Sequence, residues 1–302
     1  MLIVGTGALA CLFAARFSAA GQPVCMLGSW PEGLQALRRY GVRVRRADGG
    51  LSAYPVRVAG PNGPPPGSNE GEPFALVLVK AWQTGEAARR LAPFLAAGGL
   101  AVTLQNGLGN LEILAEALGA GRAAAGTTTS GATLEAPGVV RPAGEGAVAL
   151  ETNPRLDPLA DQLAAAGFAV RRHTRIDGLL WGKLVINAAI NPLTAVLGVP
   201  NGALLERPGA RSLMADLAQE TAAIAAARGV SLPFADPAAA VEEVARRTAE
   251  NLSSMLQDVR RGAPTEIEAI CGAVVRAAGE AGLAAPLNGV FLRLVPALVK
   301  KP

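Results

Sequence analysis

A glycine-rich loop directly follows a short apolar run at the start of the chain. Leu2-Ile3-Val4 has strand character, Gly5-Thr6-Gly7-Ala8-Leu9-Ala10 follows as a G-x-G-x-x-A pattern, and helical periodicity continues to about Ala20. In this pattern the first glycine permits a tight turn, and the second lets the backbone approach a pyrophosphate. The loop therefore predicts a dinucleotide site, although an ordinary glycine turn has the same composition. The predicted cofactor-binding residues of the loop are Gly5, Thr6, Gly7, Ala8 and Leu9.

Apolar segments of strand length recur through the first half of the chain. They lie at 23–27, 74–79 and 100–104, and alternating apolar residues over 144–150 and 168–172 predict two further strands. A strand, a helix and a second strand within about 30 residues form a βαβ unit, which implies a parallel sheet. After about Thr174 the pattern becomes helical, over 176–190, 209–228, 237–254 and 265–281. We predict an α/β fold, with a Rossmann-type domain over residues 1–174 and an all-helical domain over residues 175–302. A loop rich in Gly and Pro is predicted at 60–73.

Composition limits the classes of function. The net charge of the 302 residues is only +4, and the arginines are scattered, so we expect no nucleic-acid partner. The sequence contains no run of about 18 apolar residues, so we predict no membrane-spanning helix. A single histidine, His173, excludes His-rich metal sites, and we expect no bound metal. Three separated cysteines without a Cys-x-x-Cys pair predict a reduced, cytoplasmic protein. The expected partner is a small-molecule substrate, and the sequence leaves monomer and homodimer open.

Polar residues follow three of the predicted strands, at the edge where ligands bind in open α/β sheets. The second strand ends in Gly28 and Ser29 rather than in the acid that binds the ribose of NAD, which favours NADPH with NADH as a second option. Lys80 is suited to neutralising cofactor phosphate, or is a solvated lysine at a strand end. Asn106 carries an amide that suits a nicotinamide or a substrate oxygen, or it forms part of an Asn-Gly turn.

Three polar residues lie on one face of an otherwise apolar helical segment. Lys183, Asn187 and Asn191 are spaced i, i+4 and i+8. Burying a lysine and two amides is costly unless they have partners or a task, which favours a site over the solvated face of a surface helix. Further along, Pro264-Thr265-Glu266 has the pattern of a helix start, where a glutamate suits the helix dipole without any further role.

Six segments together resemble the ketopantoate reductase (2-dehydropantoate 2-reductase) family over nearly the whole chain. They are GTGALA, VKAWQT, LQNGLGN, GTTTSGATLEAPG, WGKLVINAAINPLTA and SSMLQDVRRGAPTEIE. The resemblance implies a Rossmann domain followed by a helical domain of the 6-phosphogluconate-dehydrogenase type. It also implies NADPH-dependent reduction of ketopantoate to D-pantoate, on the way to pantothenate and coenzyme A.

The resemblance assigns roles to residues by position. Lys183 and Glu266 match the catalytic lysine and the substrate-binding glutamate of the family. The matching substrate residues are Asn106, Asn187, Asn191 and Ser254, and the matching cofactor residues are Gly5, Gly7, Lys80 and Asn106. Ser29 stands where many members carry an arginine for the 2′-phosphate. Two alternatives stay open, namely a reductase of another 2-keto acid on the same fold and a non-catalytic NADP(H)-binding regulator.

Overall fold

The computed structural model describes residues 1–60 and 71–299, so most of the loop predicted at 60–73 lies outside the described residues. The chain divides into two compact units. The first comprises Met1–Gln105 and Asn110–Ile176, and the second comprises Asn106–Gly109 and Asp177–Pro302. In the described part of the chain, all strands belong to the first unit and the second unit is helical. The predicted fold class, a parallel sheet followed by helices, is confirmed.

The strands of the first unit form two sheets. They are β1 (Leu2–Val4), β2 (Cys25–Leu27), β3 (Val42–Arg45), β4 (Leu51–Tyr54), β5 (Arg57–Ala59), β6 (Glu72–Val77), β7 (Leu95–Thr103), β8 (Ala123–Thr128), β9 (Ala132–Ala136), β10 (Val139–Pro142), β11 (Ala147–Glu151) and β12 (Ala169–His173). The larger sheet has the order β12-β11-β8-β7-β6-β1-β2-β5, and the smaller has the order β4-β3-β10-β9. From β5 across to β8 all neighbours are parallel, whereas β11 runs antiparallel to β8.

Helices accompany both faces of the larger sheet. They are α1 (Ala8–Ala19), α2 (Pro31–Tyr40), α3 (Thr84–Leu91), α4 (Asn110–Leu118) and α5 (Asp157–Ala165). Strand β1 shows why this layering is stable, because its alternate side chains enter two different cores. Ile3 belongs to the same core cluster as Phe13 of α1, whereas Leu2 shares a second cluster with Leu91 of α3. With β1 held on both faces, the turn into α1 is fixed at the carboxyl edge of the sheet.

The structure changes some of the predicted elements. The smaller sheet was not predicted, because its strands are mostly four or five residues long and only partly buried, which leaves little periodicity to detect. The helical segment predicted over 237–254 ends earlier, at Arg247, and a separate helix begins at Ser254. Side-chain capping explains this new start, because Ser253 accepts a hydrogen bond from the backbone N–H of Leu256 (3.1 Å).

The helices of the second unit share one hydrophobic core, and the longest helix contributes many of its buried residues. The helices are α6 (Ile176–Leu197), α7 (Pro208–Ala227), α8 (Pro237–Arg247), α9 (Ser254–Arg260), α10 (Ile267–Glu280) and α11 (Pro286–Leu298). Within the described ranges, α6 alone is long and apolar enough to cross a membrane by length and composition. Of its most apolar stretch of 18 residues, 67% is buried inside the protein. Core helices of soluble proteins pass the same test, so the expectation of no membrane span stays a prediction.

Candidate active site

The glycine loop joins β1 to α1 in the first unit. Gly5 has φ +130°, and a Cβ there would lie 3.0 Å from the carbonyl oxygen of Leu78, so both backbone strain and crowding favour glycine. A Cβ on Gly7 would meet nothing within 4 Å, which leaves space beside the start of the helix. The first helical hydrogen bond runs from Cys11 N–H to Gly7 O (2.9 Å), so the three preceding N–H groups point out of the helix end. This arrangement fits the pyrophosphate of a dinucleotide.

The end of β2 packs against the glycine loop. A Cβ on Gly28 would lie 2.5 Å from the Cγ2 atom of Thr6, which is itself buried. Ser29 follows and is exposed, and the acid closest to it in the sequence is Glu32, in the first turn of α2. The strand therefore ends without the carboxylate that binds the ribose of NAD.

Lys80 lies at the same edge of the sheet as the glycine loop. It follows β6, which pairs in parallel with β1, and Leu78 two residues before it contacts Gly5. Backbone geometry around Lys80 is fixed by Gln83, whose Oε1 accepts from the Lys80 N–H (3.3 Å) and whose N–H donates to the Lys80 carbonyl (2.8 Å). The structure thus places Lys80 at the carboxyl edge of the sheet beside the glycine loop, and its contact with a cofactor phosphate stays a prediction.

The LQNGLGN segment serves two different purposes. Gln105 belongs to the first unit, where its buried amide donates to Val79 O (2.9 Å) and to Thr84 Oγ1 (2.9 Å). Gly107 belongs to the second unit, has φ +80°, and would place a Cβ only 2.2 Å from the carbonyl oxygen of Ala269. Gln105 is therefore explained by structural hydrogen bonds, and Gly107 by close packing on α10.

Lys183, Glu266 and Asn106 form a polar group inside the second unit. Asn106 Nδ2 donates a hydrogen bond to Glu266 Oε2 (3.2 Å), and the Glu266 carboxylate attracts the Lys183 ammonium electrostatically. The pKa of the Lys183 ammonium is lowered from 10.5 to about 8, because burial lowers it by more than the Glu266 carboxylate raises it. Glu266 is only 6% exposed, and its side chain does not cap α10. A helix-start role alone does not explain a buried carboxylate in this position.

The polar face of α6 extends from Lys183 toward the buried end of the helix. Lys183 and Asn187 are partly buried, and Asn191 is 8% exposed. At 1.5 Å per residue the three side chains span about 12 Å along the helix. Neighbouring Leu184 and Ala188 are fully buried, so the polar face is narrow. The burial of Asn191 argues against a solvated surface face.

Ser254 is held close to α6 through its neighbour. The hydroxyl Oγ1 of Thr194, a fully buried residue of α6, lies 2.7 Å from the Oγ of Ser253, which caps α9. Because Thr194 is one turn after Asn191, the start of α9 and its first residue, Ser254, lie near the polar face. Sequence reasoning missed Thr194 and Ser253. A Ser-Ser pair ahead of a helical pattern was the available signal for the cap.

The fold and these residues define a class of protein. A parallel sheet with a dinucleotide-type glycine loop, in a chain whose helical unit carries a partly buried lysine beside a buried glutamate, is typical of oxidoreductases that use a pyridine dinucleotide. Two family models match the chain, one described as "Ketopantoate reductase PanE/ApbA" over residues 1–155 and one as "Ketopantoate reductase PanE/ApbA C terminal" over residues 175–299. The chain belongs to the ketopantoate reductase family, which confirms the resemblance found in the sequence.

Known proteins resemble this chain over nearly its whole length. The 2-dehydropantoate 2-reductase of Halobacterium salinarum is 34% identical over 98% of this chain and 97% of its own. That of Archaeoglobus fulgidus is 37% identical over 97% of this chain and 95% of its own. A solved PanE/ApbA family ketopantoate reductase from Ralstonia eutropha is 31% identical with a TM-score of 0.89, covering 99% of this chain and 98% of that one. A D-mandelate dehydrogenase solved with NADH has a TM-score of 0.90 at 24% identity, which shows a shared fold alone.

Proposed function

We propose that this chain reduces 2-dehydropantoate (ketopantoate) to D-pantoate with NADPH. The observation that carries the proposal is the polar group of the buried Glu266 with the partly buried Lys183 and Asn106, in a chain of the ketopantoate reductase family. Relatives that are 34% and 37% identical over nearly their full length carry the name of this activity. A partly buried lysine with a lowered pKa beside a buried carboxylate is costly to maintain in a protein that only binds nucleotide.

The residues of the first unit fit a pyridine dinucleotide. In the proposal the pyrophosphate is held by the glycine loop, through Gly5, Thr6, Gly7, Ala8 and Leu9, with Lys80 contributing positive charge. The open space beside Gly7 and the outward N–H groups of α1 support this assignment. Ser29 donates a hydrogen bond to the 2′-phosphate, and the missing acid at the end of β2 favours NADPH over NADH. When bound, the nicotinamide supplies the hydride for the keto carbon.

Lys183 acts as the proton donor. Its ammonium hydrogen-bonds the keto oxygen, stabilises the negative charge that develops there, and transfers a proton to it. A pKa of about 8 suits this role, because the amine is still charged near neutral pH and gives up its proton more readily than an ordinary lysine. Glu266 limits the loss of charge, since its carboxylate raises the pKa of Lys183.

The other polar residues of the second unit position the substrate. Glu266 accepts a hydrogen bond from the substrate hydroxyl, and Ser254 donates one to the substrate carboxylate. Asn106 and Asn187 hold the reacting groups, with Asn191 further along the same helical face. Asn106 also orients Glu266 through its 3.2 Å hydrogen bond, which supports a single fixed geometry for the carboxylate.

We further propose that the reaction takes place in the cytoplasm, which the three free, buried cysteines support. The enzyme acts as a monomer or homodimer. Its physiological partner is the small-molecule substrate rather than nucleic acid or membrane.

Substrate profiling tests the proposed function. The loss of NADPH absorbance is followed with ketopantoate, with a panel of other 2-keto acids, and with NADH in place of NADPH. We expect the highest kcat/KM with ketopantoate and NADPH. A higher kcat/KM with another 2-keto acid would identify that acid as the substrate instead of ketopantoate. NADPH binding without turnover of any keto acid would favour a non-catalytic regulator.

A further inference from the structure

The end of β2 lacks the charged residues that normally set cofactor choice in Rossmann domains. An acid there binds the ribose of NAD, and an arginine nearby accommodates the 2′-phosphate of NADP. In this chain Gly28, Ser29 and Trp30 follow β2, and Ser29 is exposed. A serine hydroxyl alone makes neutral-donor hydrogen bonds, which are weaker than those of a cation to a phosphate. A cation from another part of the first unit would therefore add to the preference for NADPH that the missing acid gives.

Arg38 reaches this edge of the sheet from α2. Its Nη2 atom lies 3.3 Å from the position that a Cβ on Gly60 would take. Gly60 directly follows β5, which pairs in parallel with β2 so that Ala59 lies opposite Leu27. Gly28 N–H also donates to Ala59 O (3.4 Å). The guanidinium of Arg38 thus lies at the carboxyl end of β5, one strand away from the residues that end β2.

The geometry of α2 explains this reach. The helix begins at Pro31, two residues after Ser29. Arg38 follows Leu34 by one turn and shares its face, and the Cδ2 of Leu34 lies 3.4 Å from the position of a Cβ on Gly28. Long helical side chains extend toward the N-terminus of their helix, which here is the end beside β2.

We propose that Arg38 binds the 2′-phosphate of NADPH and sets the preference for NADPH over NADH. The inference rests on the proposed function, because it requires a pyridine dinucleotide on the glycine loop. Arg38 is exposed, and within residues 1–60 and 71–299 it makes no hydrogen bond or ion pair. The guanidinium supplies the charge-assisted hydrogen bonds, and the hydroxyl of Ser29 adds one from the end of β2.

Arg39 provides a matched control on the same helix. It is exposed and carries the same charge, but it lies about 100° further around α2 and its guanidinium is 5.1 Å from the centroid of the Tyr40 ring. Replacing either arginine by alanine removes one positive charge from the same helix. Any difference between the two variants therefore reports local contact rather than net charge.

Equilibrium binding separates cofactor choice from catalysis. Wild type, Arg38→Ala and Arg39→Ala are titrated with NADPH and NADH without substrate, and 2′,5′-ADP and 5′-AMP are used as competitors. We expect Arg38→Ala to weaken NADPH and 2′,5′-ADP about ten- to a hundredfold, as expected for lost charge-assisted hydrogen bonds. The affinity for NADH should be the same in all three proteins, and so should the affinity for 5′-AMP. This result would also show that the variants are folded.

Each other outcome has a definite meaning. Unchanged NADPH affinity in Arg38→Ala, or an equal loss in Arg39→Ala, would overturn the role of Arg38 and leave the proposed function standing. Tighter binding of NADH than of NADPH by wild type would overturn both the role of Arg38 and the proposed use of NADPH, and would leave the reduction of ketopantoate standing. If wild type bound neither dinucleotide, both the proposed function and the role of Arg38 would be overturned.

Discussion

The pH dependence of turnover measures the electrostatic coupling between Lys183 and Glu266. The pKa of Lys183 is lowered from 10.5 to about 8, because burial lowers it by more than the Glu266 carboxylate raises it. If the ammonium donates the proton, kcat/KM for ketone reduction stays constant below about pH 8 and falls above it. Glu266→Gln removes the negative charge while keeping the shape of the side chain and an oxygen for Asn106 to contact. The pKa of Lys183 then drops below 8, and the fall begins at lower pH.

The lowered pKa sets the size of the effect. A pKa of about 8 instead of 10.5 means that charging this amine costs about 3 kcal/mol more in the folded protein than in water. Above the pKa, the ammonium fraction falls about tenfold for each pH unit, and kcat/KM for reduction falls with it. An ordinary exposed lysine would produce no such fall below about pH 10.

The assay is steady-state NADPH oxidation with ketopantoate over a pH series, for wild type, Glu266→Gln and a control. Glu268→Gln is the control, because the side chain of Glu268 is 73% exposed and faces Arg276 on the same helix. Glu266→Gln also loses absolute activity through weaker substrate binding. The pH at which kcat/KM begins to fall does not depend on the maximal value of kcat/KM, so the comparison remains valid. A fall at the same pH in wild type and Glu266→Gln, or a shift to higher pH, would refute the coupling.

Two further substitutions test single features of the structure. Thr194→Val removes the 2.7 Å contact with Ser253 and should raise KM for ketopantoate more than it lowers kcat while leaving the Kd for NADPH unchanged, which steady-state kinetics and nucleotide titration measure. Gly5→Ala introduces a Cβ at φ +130° and 3.0 Å from a backbone oxygen, so calorimetry should show a Tm lower by several degrees, from about 1–2 kcal/mol of backbone strain. Gly7→Ala is the control for Gly5→Ala, since its Cβ meets nothing within 4 Å and the Tm should change little.

The dinucleotide half of the fold was predictable because its signals are local. A strand, a glycine turn and the start of a helix occupy adjacent residues, and the apolar runs of the buried parallel strands are continuous. The polar spacing on α6 was predictable for the same reason, since i, i+4 and i+8 define a helix face without any tertiary information. The ends of elements were predicted less well, because caps such as Ser253 act through single hydrogen bonds.

These local patterns do not predict contacts between residues that are far apart in the sequence. Asn106 and Glu266 are separated by 160 positions, and Thr194 and Ser253 by 59, so no local periodicity connects them. Arg38 was overlooked because it stands on a helix nine residues after Ser29, and only the parallel pairing of β2 with β5 brings the two to one edge. The smaller sheet was missed because its strands are short and partly exposed.

The most direct test of the account is Lys183→Ala, measured for both turnover and cofactor binding. The account predicts that kcat for ketopantoate reduction falls by about two to four orders of magnitude, the size expected for a lost proton donor. It also predicts that the Kd for NADPH is nearly unchanged, because the proposed phosphate contacts belong to the glycine loop, Lys80 and Arg38. Turnover equal to wild type, with NADPH still bound, would contradict the central role of Lys183.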